Sequence, residues 1–112
     1  MQQFSIWLAE LPMLKDSSII CGLHPVIVLS NDIANRHSPI ITAVPLTSKL
    51  KRWDLMTHVP IRGSGLERDS MALCEQIMTL DRSVLQRQIG FVNNTQDRQA
   101  LIRGVGAQLG LT

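Results

Sequence analysis

Over roughly the first two-thirds of the chain, apolar positions fall into short runs broken by Pro, Gly, Asn and Asp, without the three- and four-residue spacing of helices. Phe4–Leu8, Val26–Ser30, Ile40–Pro45, Thr57–Ile61, Ser70–Gln76 and Gln88–Val92 are brief and rich in β-branched or apolar residues, which predicts strands of a small all-β unit. Pro25 and Pro45 stand at run ends, where a missing amide hydrogen breaks no ladder bond, so central parallel strands are not expected. Arg62–Gly63–Ser64–Gly65 has the chemistry of a hairpin tip. Only the tail turns helical. Asn94 or Thr95 can cap, Asp97 suits a first turn, and Leu101, Ile102, Val105 and Leu109 share one stripe, predicting a helix over about 95–109. Gly104 and Gly106 each weaken that helix by about 1 kcal/mol relative to Ala, so docking must hold it, and Gly110 can end it.

The chain has 112 residues, the size of one domain, 1–112, with no repeat or linker. With 45% apolar and 18% charged residues, it is excluded from the disordered class. Eleven basic against nine acidic side chains give +2, far from the basic coat of a histone-like binder, so any polyanion site must be local. Stretches such as Pro25–Val26–Ile27–Val28–Leu29 are much shorter than the ~20 residues of a membrane helix. The start, Met1–Gln2–Gln3–Phe4, has no basic head and apolar run, and Cys21 and Cys74 are far apart among apolar neighbours, so a reduced bacterial cytoplasm is expected. No His, Cys or carboxylate spacing suits a metal, and there is no phosphate-cradling glycine loop or nucleotide fingerprint; no cofactor is expected.

Several ordered segments carry a resemblance. His24–Pro25–Val26–Ile27–Val28–Leu29–Ser30–Asn31–Asp32, then Asn35–Arg36–His37–Ser38–Pro39, Val44–Pro45–Leu46–Thr47–Ser48–Lys49, Thr57–His58–Val59, Asp69–Ser70, Leu73–Cys74–Glu75–Gln76–Ile77 and Thr79–Leu80–Asp81 resemble successive motifs of the MazF/PemK family of toxin ribonucleases, from about Ile6 to Leu111. The resemblance implies a mainly β fold with a C-terminal helix, a small SH3-like barrel of the MazF/PemK/CcdB-like type. It also implies a homodimer that cuts single-stranded RNA without metal and is neutralised by a cognate antitoxin.

Cutting RNA with its own 2′-hydroxyl requires removal of that proton, protonation of the leaving 5′-oxygen, and donors or positive charge at the phosphorus. By the resemblance, Thr47 stands at the family's Thr position; its hydroxyl is too weakly acidic for the main base but can bind the phosphate or orient the attacking hydroxyl. Gly22–Leu23–His24–Pro25 replaces the family's Gly–x–Arg–Pro. His24 therefore substitutes a titrating imidazole for a fixed bidentate guanidinium, a better proton shuttle and a poorer cation at high pH. Activity favouring mildly acidic pH is the expected consequence. Two further departures remove cations: the family's opening Arg–Gly–Glu/Asp is Gln3–Phe4–Ser5, and the Arg after its Glu–Gln–Ile is Met78. The apolar loop Met13–Ile20 restores only Lys15, next to Asp16.

Lys49, Lys51 and Arg52 beside Trp53 place cations next to an indole, a pairing that can track phosphates and stack a base; a solvated basic loop with Trp53 on the core is the plain alternative. Glu75 and Gln76 match family positions at the groove floor, where an acceptor and an amide can read base edges. Asn31 matches a position near the groove mouth, to contact RNA or form an Asx turn. His37 and His58 read as framework residues, Trp7 as core, and Cys74 as a packed hydrophobe. Beside the ribonuclease stand a catalytically weakened homologue that binds antitoxin or RNA without cutting, and a same-fold toxin aimed at a DNA topoisomerase, which has no motif here.

Overall fold

The computed structural model describes residues 1–49 and 54–111. Seven strands and two helices follow in the order β1 (Ser5–Leu11), β2 (Gly22–Val28), α1 (Asp32–His37), β3 (Ile40–Thr47), β4 (His58–Ile61), β5 (Ser70–Leu73), β6 (Met78–Asp81), β7 (Leu85–Phe91) and α2 (Thr95–Leu109). The strand order is β4-β5-β3-β2-β1-β7, with β6 on the first half of β3, and every pairing is antiparallel. The sheet curls into a barrel whose terminal strands, β4 and β7, are not paired with each other.

The strands read as unbroken apolar runs because the central sheet is covered on both faces. Ile6, Ile27, Val44 and Leu46 point into the barrel with Val59, Ile61 and Ala72. The alternate residues Ala9, Val26, Val28, Ile41 and Ala43 form a second cluster with Leu80, covered by Trp7, Val84 and Leu85. Neighbouring residues such as Val26 and Ile27 fall in different clusters, because successive side chains of a pleated strand point to opposite faces.

Several elements differ from the sequence expectation. The apolar run Ser70–Gln76 is a strand only to Leu73; Cys74–Gln76 is one turn of 3-10 helix, after which the chain re-enters the sheet as β6. Helix α1 has no apolar stripe to announce it. It is held by polar bonds: Asn31 Oδ1 accepts from the Ala34 amide at 2.8 Å, the buried Asn35 donates to the Ser30 carbonyl at 2.8 Å, and Arg82 donates to the Asn35 carbonyl at 2.8 Å. Strand β2 also begins earlier than expected, and Pro25 is accommodated because the β2–β3 ladder starts only at Val26.

The ends of the barrel are finished differently. At one end α2, capped by Asn94 and stopped by Gly110 in the left-handed region, drives the fully buried Leu101 into the interior. Gly104 lets it come close: a Cβ there would lie 2.8 Å from Cys74 Sγ and 3.2 Å from the Met56 carbonyl. Arg98 Nε donates to the Val92 carbonyl at 2.6 Å, and its guanidinium lies over the Phe4 and Phe91 rings at 4.8 and 5.2 Å. Along the seam, the β4–β5 hairpin tip folds onto β7. The Phe91 amide donates to the Ser64 carbonyl at 3.1 Å, and Gly65 and Gly90 touch backbone to backbone, leaving neither room for a Cβ.

Candidate functional site

The other end of the barrel carries no helix. Here β2 begins and β3 ends, and a groove of about 700 Å³ opens between them, the hairpin loop 62–69 and β7. His24 is opposite Ala9 of β1. The β2–β3 ladder is paired from Val26↔Pro45 to Val28↔Ala43, so His24 before it and Thr47 after it belong to the same end of the barrel. The imidazole Nδ1 lies 3.3 Å from the Leu46 carbonyl. A carbonyl oxygen only accepts, so this bond requires the hydrogen on Nδ1, and His24 lines the groove.

Thr47 is only 6% exposed. Its Oγ1 accepts from the Lys49 amide at 3.2 Å, so the hydroxyl hydrogen is the group left to donate. Lys49, exposed and two residues on, leads out of this end of β3, whereas Lys51, Arg52 and Trp53 lie outside the described residues.

Glu75 and Gln76 occupy the 3-10 turn after β5, and both have intramolecular partners. Glu75 Oε2 is 2.6 Å from His58 Nε2, which makes His58 the buried half of a pair and accounts for its framework role. Gln76 Oε1 accepts from the Ile20 amide at 2.7 Å, and its Nε2 donates to the Ser18 carbonyl at 3.4 Å, so this amide ties down the β1–β2 loop. Asn31 sits beyond the opposite end of β2, further from His24 than the ~13 Å of strand from His24 to Val28. There it lines a different groove of about 750 Å³ together with Phe4, Leu29 and Ile102. Of the predicted residues, then, the fold joins His24, Thr47 and Lys49 at one end and sets Asn31 apart.

The sequence reading missed Arg68 and Arg87, which line the groove with His24, as do Ser48, Ser70 and Gln88. Their signal was weak: Arg87 falls in the polar run Gln86–Arg87–Gln88, of which only Gln88 lay in the expected strand Gln88–Val92, yet β7 begins at Leu85. The Cys74 thiol is pushed up to about 12, first by burial and then by the neighbouring Glu75 carboxylate, and so stays protonated and inert. Among the described residues, no three His, Cys, Asp or Glu side chains come together as metal ligands, and no helix is long and apolar enough to cross a membrane.

This antiparallel barrel with one docked terminal helix has close counterparts. A profile of the PemK-like, MazF-like toxins of type II toxin–antitoxin systems matches residues 2–103, and the chain belongs to that family. It is similar to the endoribonuclease MazF of Staphylococcus saprophyticus, 30% identical over 101 residues, 88% of this chain and 83% of the relative. It is also similar to the endoribonuclease EndoA of Bacillus subtilis, 43% identical over 70 residues, 61% of this chain and 60% of that protein. In three dimensions it superposes on the Mycobacterium tuberculosis toxin MazF-mt6 with a TM-score of 0.78 at 25% identity, covering 96% of this chain and 98% of the other.

Proposed function

We propose that this toxin is a metal-independent endoribonuclease of single-stranded RNA, working as a homodimer in the bacterial cytoplasm and neutralised by a cognate antitoxin. The observation that carries the reading is the 3.3 Å contact of His24 Nδ1 with the Leu46 carbonyl, which supports Nε2 as the working atom. The 2′-oxygen attacks phosphorus and its proton passes to water. The P–O5′ bond breaks, and protonated His24 gives its Nε2 proton to the departing 5′-oxygen, leaving a 2′,3′-cyclic phosphate and a 5′-hydroxyl. Thr47 Oγ1–H donates to a non-bridging oxygen as charge builds there, while Lys49, Lys51 and Arg52 guide the backbone. Glu75, Gln76 and Asn31 contact RNA only if they exchange their present partners for base edges.

Relatives named endoribonucleases support the activity, and the family's toxin–antitoxin description supports the antitoxin. Exposed Ile102, Leu109 and Leu111 near the closed end supply apolar area for a twin, and light scattering at micromolar concentration should show a dimer. The decisive assay is cleavage of a long single-stranded RNA in EDTA: the wild type cuts, and Thr47→Ala and His24→Ala do not. His24 in place of the family Arg favours one second reading, a homologue that binds RNA or antitoxin without cutting. That reading holds if folded wild type leaves RNA intact at every pH and His24→Arg does not restore cleavage.

A further inference from the structure

We infer that Arg87 and Arg68 form a second phosphate site at the barrel mouth, holding the RNA phosphate adjacent to the one His24 and Thr47 address. The inference rests on the proposed RNA substrate. Leu8 pairs with Pro25 on one side and with Arg87 on the other. Arg87 therefore stands on the same row of the sheet as the residue after His24, two strand spacings away, or about 10 Å.

Arg68 reaches the groove from the hairpin loop, and that loop is fixed on both sides of it. Upstream, Ser64 accepts from the Phe91 amide and Gly65 is pressed against Ile89 and Gly90. Downstream, the buried Ser70 donates its hydroxyl to the Arg68 carbonyl at 3.0 Å. The backbone that presents this guanidinium is thus anchored although the side chain is exposed.

Three other arginines among the described residues have partners. Arg82 is bonded to the Asn35 and Ser38 carbonyls, Arg98 is spent on Val92 and two rings, and Arg62 faces Asp69 at 3.9 Å. Among the described residues, neither Arg68 nor Arg87 has a hydrogen bond or ion pair to either guanidinium. The one carboxylate lining the same groove is Glu67, so two guanidiniums outnumber it even with His24 neutral. Two forked donors facing one groove suit the oxygens of a phosphodiester. They also supply, across the groove, the fixed positive charge that position 24 lacks.

The test is the salt dependence of binding, measured by fluorescence anisotropy with a 2′-O-methyl oligoribonucleotide that cannot be cleaved. Arg87→Ala and Arg68→Ala should each weaken binding several-fold at low salt and lower the slope of log affinity against log salt by roughly 0.7, one single-strand phosphate contact. Arg87→Lys should keep the slope, Glu67→Gln should tighten binding, and Arg36→Ala on α1 should change neither. In cleavage assays the two alanine variants should raise KM while kcat stays within about threefold. Unchanged slopes in folded Arg87→Ala and Arg68→Ala would overturn the site, as would an absence of RNA binding by the wild type. So would a loss confined to binding of an acidic peptide. A wild type that binds but never cuts would refute the ribonuclease reading while the slopes still decide this one.

Discussion

At the closed end of the barrel, Leu101, Cys74, Val59 and Val92 meet with no polar side chain among them, and a glycine was needed to bring α2 near enough. At the open end, the corresponding space is an open groove bordered by His24, Ser48, Arg68 and Arg87. The same strands serve both ends, so the contrast comes from what covers them: burial without polar atoms yields stability, and a groove edged with donors yields a place for an anion. The closed end should therefore govern folding with little effect on chemistry, and the open end the reverse.

The comparison is tested hardest at Leu101. Leu101→Ala should cost about 2–5 kcal/mol, read as a drop in the urea midpoint, while cleavage per folded molecule stays near wild type. Gly104→Ala, which forces a methyl group against Cys74 and the Met56 carbonyl, should cost about 1–3 kcal/mol. At the open end, His24→Ala should lower cleavage by a factor on the order of 10² to 10⁴ with stability within about 1 kcal/mol.

The thiols sharpen the same contrast. In native protein a disulfide reagent should modify half-buried Cys21 and spare Cys74, whose second equivalent should appear only in denaturant. The smallest effect concerns Asp81, which caps the turn Arg82–Val84. The Ser83 amide, and then its hydroxyl, hold this carboxylate below its usual range. A depressed folded value gives stability that is present above the unfolded value and lost as pH falls through the folded one. Asp81→Asn should accordingly flatten the acid limb of the stability curve slightly, as measured by thermal melting in acetate and citrate buffers.

How far the sequence spoke depended on whether a feature was carried by apolar spacing or by polar detail. The runs around Ile27, Val44 and Val59 are apolar because both faces of the sheet are covered, and they were readable as strands. Helix α1 was not, because Asn31, Asn35 and Arg82 hold it through hydrogen bonds that leave no periodic trace. The break after Leu73 was hidden for a related reason: Cys74 is as buried in a 3-10 turn as it would be in a strand. His24 and Thr47 were singled out by ordered motifs, but the place of Arg87 in the groove depends on the register of β7 against β1, which includes shifts between Ile6 and Trp7 and between Leu8 and Ala9. No local pattern encodes such shifts.

The central claim, that His24 works as a proton-carrying imidazole through Nε2, is tested most directly by the pH dependence of cleavage in EDTA for wild type beside His24→Arg. The account predicts that the wild-type rate falls as the ring loses its proton, and that the arginine variant, which keeps its charge, shows no such fall. Parallel profiles for the two proteins, or a wild-type rate that climbs through the same range, would contradict it.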